Sequence, residues 1–131
     1  MRRLGYLSAI ALGGAIGVYA RAALSQALPG FGTTFAINIL GAFLLGLLIE
    51  TLGYGSGWRH ILRLGLGTGL LGGFTTYATF SLEIVELWSA APRLSVGYSV
   101  ASLVAGVAAA LGGICLAKRL TTTPASSGAD A

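Results

Sequence analysis

Charged side chains are nearly missing from this chain of 131 residues. They make up 9% of it, against about 25% in soluble domains. With 55% hydrophobic residues and a mean hydropathy of +0.83, that scarcity excludes an ordinary soluble domain and points to an integral membrane protein. Reactive groups are as rare. The single cysteine, Cys115, can form no internal disulfide and reads as a small residue in an apolar run. One histidine, His60, and one cysteine cannot build a zinc site from protein ligands alone. The only aspartate, Asp130, lies near the end of the chain, which excludes a Ser-His-Asp triad. The net charge of +4 sits mostly at predicted helix ends. No basic patch interleaved with aromatics is present, so lipid head groups fit that charge better than nucleic acid does. Arg2 and Arg3 before an apolar run imitate a signal peptide. The rest of the chain is equally hydrophobic, however, and Arg21 interrupts before a convincing cleavage site.

What is present is enough apolar sequence for four membrane crossings. The first is predicted from Leu4 to Leu28, long enough for a core of ~30 Å, and Pro29-Gly30 ends it. Gly13 and Gly17 form a G-x-x-x-G pair that lets two helix backbones approach closely. The second is predicted from Thr33 to Leu52, with a small-residue pair at Ala42 and Gly46. It carries one strongly polar residue, Asn38. A buried amide needs partners, so Asn38 faces either another helix or a permeating species. Gly53 to Gly57 reads as a flexible loop, and Trp58, Arg59, His60 and Arg63 mark the interface after it. The last helix is predicted from Leu94 to Ala117. Ala101, Ala105, Ala109 and Gly113 share one face, Ser102, Gly106 and Ala110 lie beside them, and Lys118 and Arg119 stop the span. A single unit over residues 1–120 and a disordered tail over 121–131 are expected.

The third segment, Leu62 to Trp88, is too long for one uninterrupted perpendicular span. Within it, Gly65 to Glu83 carries five glycines and six Ser, Thr or Tyr hydroxyls. Lipid cannot hydrogen-bond a freed backbone group, so such a run implies a helix interrupted where protein covers it or where it lines an ion site. Gly67 to Gly72 matches G-x-G-x-x-G, but neither a βαβ context nor an acidic residue at the required offset accompanies it, which excludes a dinucleotide site. Gly65, Gly69 and Gly73 instead form a packing stripe. Four short helices cannot surround a hydrated path and also cover a broken helix, so a dimer is expected, with the breaks meeting at its axis.

These motifs resemble one family. Gly13-Gly14-x-x-Gly17-x-x-x-Arg21, Asn38 followed by Gly41, the box from Gly72 to Glu83, and Tyr98-x-x-x-Ser102 together resemble the Fluc (CrcB) fluoride channels. The resemblance implies an all-α membrane protein. It would have four transmembrane helices, the third broken, and would pair as an antiparallel dual-topology dimer. It implies passive fluoride export across the cell membrane as protection against fluoride toxicity. It also implies a central structural sodium ion held by the backbone carbonyls of Gly72 and Thr75, an assignment that suits a hard cation. On the fluoride pathway it places Tyr77 and Phe80 as the aromatic positions, Asn38 and Thr79 as donors, Ser102 on the last helix, and Arg21 near the entrance. Glu83 would cap or hydrogen-bond the broken helix.

Three positions depart from the family pattern. Tyr77 replaces a phenylalanine, Ala78 replaces a serine, and Gly106 stands where a second serine is common. Charge adds a constraint. Arg2, Arg3, Arg59, Arg63, Lys118 and Arg119 fall on one side of a four-helix topology, and Arg21 and Arg93 on the other. The positive-inside rule then places both termini in the cytoplasm. A fixed orientation works against an antiparallel homodimer, so the alternative is a subunit, non-conducting or partly conducting, that pairs with a related chain of opposite orientation. A small multidrug-type transporter is the remaining alternative. It needs a membrane-embedded carboxylate, whereas Glu50, Glu83 and Glu86 lie toward helix ends.

Overall fold

The structure, a computed structural model, describes residues 2–53 and 56–121; residues 54 and 55 of the expected loop and 122–131 of the expected tail lie outside them, while Thr121, expected to begin that tail, is the last residue of a helix. The elements run α1 (Arg2–Ala27), α2 (Phe31–Leu52), α3 (Trp58–Leu62), a π-helical stretch (Arg63–Leu71), α4 (Gly72–Phe74), α5 (Tyr77–Ala90) and α6 (Pro92–Thr121). Among the described residues all regular structure is helical. Helices α1, α2 and α6 are each long and apolar enough to cross a membrane. The remaining crossing is composite: residues 58–74 and α5 lie either side of a break at Thr75-Thr76. This is a multi-pass membrane protein with four crossings, the third of them interrupted.

Local chemistry explains the ends. Gly30 takes φ 130°, a turn open to glycine, and α2 starts at Phe31, two residues earlier than the sequence suggests. Pro92 opens α6 at its first position, where a missing N–H costs no helical bond. Lys118 and Arg119 do not stop α6 but sit in its last turn, where cations favour the helix dipole.

Two close backbone contacts organise the bundle. Gly13 and Gly17 of α1 lie against the main chain of Gly65 and Leu70 in the π-helical stretch; a Cβ at either glycine would overlap those carbonyls. The return face is equally tight, because a methyl on Gly69 or Gly73 would sit 2.6 Å from the carbonyl oxygen of Ile10 or Gly14. The predicted stripes of α1 and the third segment therefore pack on each other. Helix α2 meets α6 in the same way, Gly46 on the backbone of Ala110 and Gly113 on that of Phe43. The small-residue face of α6 is used toward its C-terminal end: Gly113 and Ala117 are buried and Ala110 meets Gly46, while Ala101 is exposed and Gly106 faces open space. Gly17→Ala is expected to cost about 1–3 kcal/mol through overpacking, read as a lowered thermal midpoint of the purified protein in detergent. Gly106→Ala, which meets nothing, should hold that midpoint or raise it, alanine being the better helix former by about 0.5–1 kcal/mol.

Candidate functional site

Thr75 (φ −76°, ψ 155°) and Thr76 (φ −144°, ψ 123°) are extended, and they separate α4 from α5. The first half ends cleanly, since both the N–H and the Oγ1 of Thr75 donate to the Leu71 carbonyl, at 3.0 and 2.9 Å. In a continuous helix each N–H donates to the carbonyl four residues back. Two side chains intercept that pattern here. The Thr76 N–H donates to Asn38 Oδ1 at 2.9 Å instead of to Gly72, and the Thr79 N–H donates to Thr76 Oγ1 at 3.2 Å instead of to Thr75. The carbonyls of Gly72 and Thr75 are thereby released from the helical ladder.

Asn38 also donates from Nδ2 to the Thr76 carbonyl at 3.1 Å. It pairs with both main-chain groups of one extended residue, as a neighbouring β-strand would. An amide nitrogen has two hydrogens, and Thr76 takes one of them. One turn further along α2, Gly41 gives the break its seat, because a Cβ there would overlap Thr75 Cγ2.

A cavity of about 400 Å³ opens beside the break. Asn38, Gly72, Thr75, Tyr77, Phe80 and Ser102 line it, and Thr76, three leucines and small residues close the rest. The Ser102 Oγ is buried and makes no well-formed hydrogen bond among the described residues, its neighbour being the Tyr98 hydroxyl one turn back, which is itself committed to Glu83. The Phe80 ring is buried, while the Tyr77 ring is 81% exposed; their centroids lie 6.2 Å apart at 50°. A second groove of about 630 Å³ shares Leu45 and Gly67 with the first and runs between α2 and the π-helical stretch to His60, Arg63 and Thr68.

Residues 8–114 match the family model described as CrcB-like protein, Camphor Resistance (CrcB). The chain belongs to the CrcB family. It is 45% identical over 116 residues to the Fluoride-specific ion channel FluC 2 of Leifsonia xyli subsp. xyli, covering 80% of this chain and 78% of that protein. It is 41% identical over 121 residues to the Fluoride-specific ion channel FluC of Agrobacterium fabrum, covering 87% and 97%. Over 115 residues it is also 41% identical to the Fluoride-specific ion channel FluC of Methanopyrus kandleri, covering 85% and 88%. Relatives named as ion channels make the chain a member of a channel family and not of an enzyme family.

In this CrcB protein, six of the residues expected at the site (Asn38, Gly72, Thr75, Tyr77, Phe80 and Ser102) meet around one cavity, and two stand outside it. Thr79 accepts a hydrogen bond at Oγ1 from the Thr76 hydroxyl at 3.1 Å, and with its N–H also on Thr76 it belongs to the cap of α5. Arg21 is half-buried and donates from Nε to the Gly73 carbonyl at 3.3 Å. There it offers a positive charge to the carbonyl end of the helix before the break, where cations are favoured.

Glu83 does not cap the break. It is buried on α5 and ties together two other helices: Thr34 Oγ1 of α2 donates to Oε1, and Tyr98 Oη of α6 donates to Oε2. A proton-coupled transporter needs a carboxylate open to proton and cation; both oxygens of Glu83 are already bonded. Sequence reasoning passed over Thr34 and Thr76. Thr76 had a local signal, a threonine immediately before a helical run. Thr34 had none, since its partner is 49 residues away.

Proposed function

We propose that this chain is a subunit of a passive fluoride channel, through which fluoride leaves the cytoplasm and its toxicity falls. The observation that carries the reading is the cavity at the break, where a hydroxyl without a well-formed hydrogen bond, an amide with a spare hydrogen and two tilted rings line one space. Fluoride binds water strongly, so a path for it must replace that water with donors. Ser102 and Asn38 can donate, and the positive ring edges of Tyr77 and Phe80 can face the anion. The groove leading to Arg63 and His60 offers an approach in which positive charge raises the local anion concentration. The names of the relatives support the choice of fluoride as the ion.

The exposed Tyr77 ring and the exposed Gly72 backbone argue that a second, antiparallel chain closes the path. Two such chains would bring the released carbonyls of Gly72 and Thr75 together at the axis. That donor set is oxygen only and suits a hard cation such as sodium; among the described residues no group of three His, Cys, Asp or Glu side chains offers another site. Bound there, sodium would supply positive charge against converging carbonyl dipoles.

Liposomes containing the purified chain should release fluoride and retain chloride, followed with ion-selective electrodes. No fluoride release, from the chain alone or with a related subunit, would end this reading. Ser102→Ala should separate conduction from folding. It removes a hydroxyl that makes no well-formed hydrogen bond, so stability should stay within about 1 kcal/mol, while fluoride flux falls.

A second reading, a heterodimer, is favoured by the charge bias. Arg21 and Arg93 stand on one side against six basic residues on the other. A chain held in one orientation needs a partner of the other. Reporters fused to the C-terminus should then signal from the cytoplasmic side alone; comparable signal from both sides would favour the homodimer.

A further inference from the structure

Four hydrogen bonds on Thr76 link the cavity to the released carbonyls. Asn38 holds the N–H and C=O of Thr76, at 2.9 and 3.1 Å, and Thr76 Oγ1 accepts the Thr79 N–H at 3.2 Å and donates to Thr79 Oγ1 at 3.1 Å. Remove the Asn38 acceptor and the Thr76 N–H has one nearby alternative, the Gly72 carbonyl it would meet in an α-helix. Remove the Thr76 hydroxyl and the Thr79 N–H has the Thr75 carbonyl in the same way. In both cases the chain recovers a helical bond by closing the break, and a carbonyl leaves the axis. An extended residue inside a membrane persists only while its polar groups stay satisfied, and here two side chains satisfy them.

We infer that Asn38 and Thr76 are positioning residues for the cation: through these bonds they hold the Gly72 and Thr75 carbonyls available, and sodium affinity depends on them although neither side chain touches the ion. The inference rests on the sodium site of the proposed function. It gives Asn38, a residue lining the anion cavity, a second and separable role. The role belongs to the main-chain geometry of the break, so it should be measurable with no fluoride present.

The test is sodium binding to the full-length protein in detergent, by calorimetry or sodium NMR line width, with N-methylglucamine as the replacing cation and fluoride absent. Asn38→Ala and Thr76→Val should each bind sodium at least about tenfold more weakly than the unaltered chain. Thr76→Ser keeps the hydroxyl and should stay within about threefold of it. Size-exclusion profiles identify variants that fold; if Asn38→Ala does not, the Thr76→Val and Thr76→Ser pair decides. Equal sodium affinity in all the variants, with fluoride efflux lowered in Asn38→Ala, would overturn the inference and leave Asn38 acting on the anion alone. Equal weakening in Thr76→Val and Thr76→Ser would overturn it as well, since the hydroxyl would then be irrelevant. If the unaltered chain conducts fluoride but binds no sodium saturably, the sodium site itself is lost, and the inference goes with it.

Discussion

Glu83→Ala should lower stability by about 2–4 kcal/mol, the largest loss expected from any single truncation here. Alanine removes the acceptor of Thr34 and the shorter of two acceptors of Tyr98. Thr34, buried and left without a partner, costs about 1–3 kcal/mol, and lipid offers it no substitute; Tyr98, half-buried, keeps only its 3.4 Å bond to the Phe31 carbonyl and adds about 1 kcal/mol. The loss also reaches the cavity. Tyr98 packs on Phe80 with ring centroids 5.5 Å apart, so a released Tyr98 loosens the wall that Phe80 forms. Glu83→Gln keeps the length and one acceptor and should lose less than half as much. The measurement is the unfolding midpoint in detergent alongside fluoride efflux. A Glu83→Ala protein that melts within about 2 °C of the unaltered chain would show that the three-helix link contributes little.

Gly41→Val should reduce fluoride efflux by at least about tenfold, with a stability loss of only about 1–3 kcal/mol. The substituted side chain would occupy the space of Thr75 Cγ2, on the residue whose conformation makes the break. α2 is held to α6 at Gly46 and Gly113, on another part of its surface, so the strain falls on Thr75 and not on the bundle. Gly41→Ala is the graded control and should give an intermediate flux. Gly41→Val with full efflux would mean that the break tolerates displacement, and that the close approach of α2 is not what sets its shape.

How much of this was legible in the sequence varies with the range of the interaction. The break was, because glycine and threonine at membrane depth are anomalous wherever they fall. The turns at Pro29-Gly30 and Pro92 were, because proline and glycine act within one or two residues. Asn38 was recognised as needing a partner, but the choice between a helix and an ion stayed open. Its partner is the backbone of Thr76, 38 residues away, and no pattern of side chains encodes a bond to main chain. The π-helical stretch was invisible for a different reason. A glycine every fourth residue suits the α and the π repeat about equally, and only the fit against α1 selects the wider one. The cluster of Thr34, Glu83 and Tyr98 combines three helices, so each member looked ordinary where it stood.

The seam between α1 and the π-helical stretch has a consequence for how this protein can vary. Where side chains meet, a swap on one surface can be absorbed by a rotamer change on the other. At Gly13, Gly17, Gly69 and Gly73 peptide groups touch peptide groups, and neither wall has anything to rotate. A saturation library should therefore show two regimes on one helix: at Gly13 and Gly17 a loss that begins with alanine and deepens with every larger side chain, and free exchange of apolar types at Leu12, Ile16 and Tyr19, which face outward. The ancestry of the chain would be written on its outward side, while the seam stays fixed.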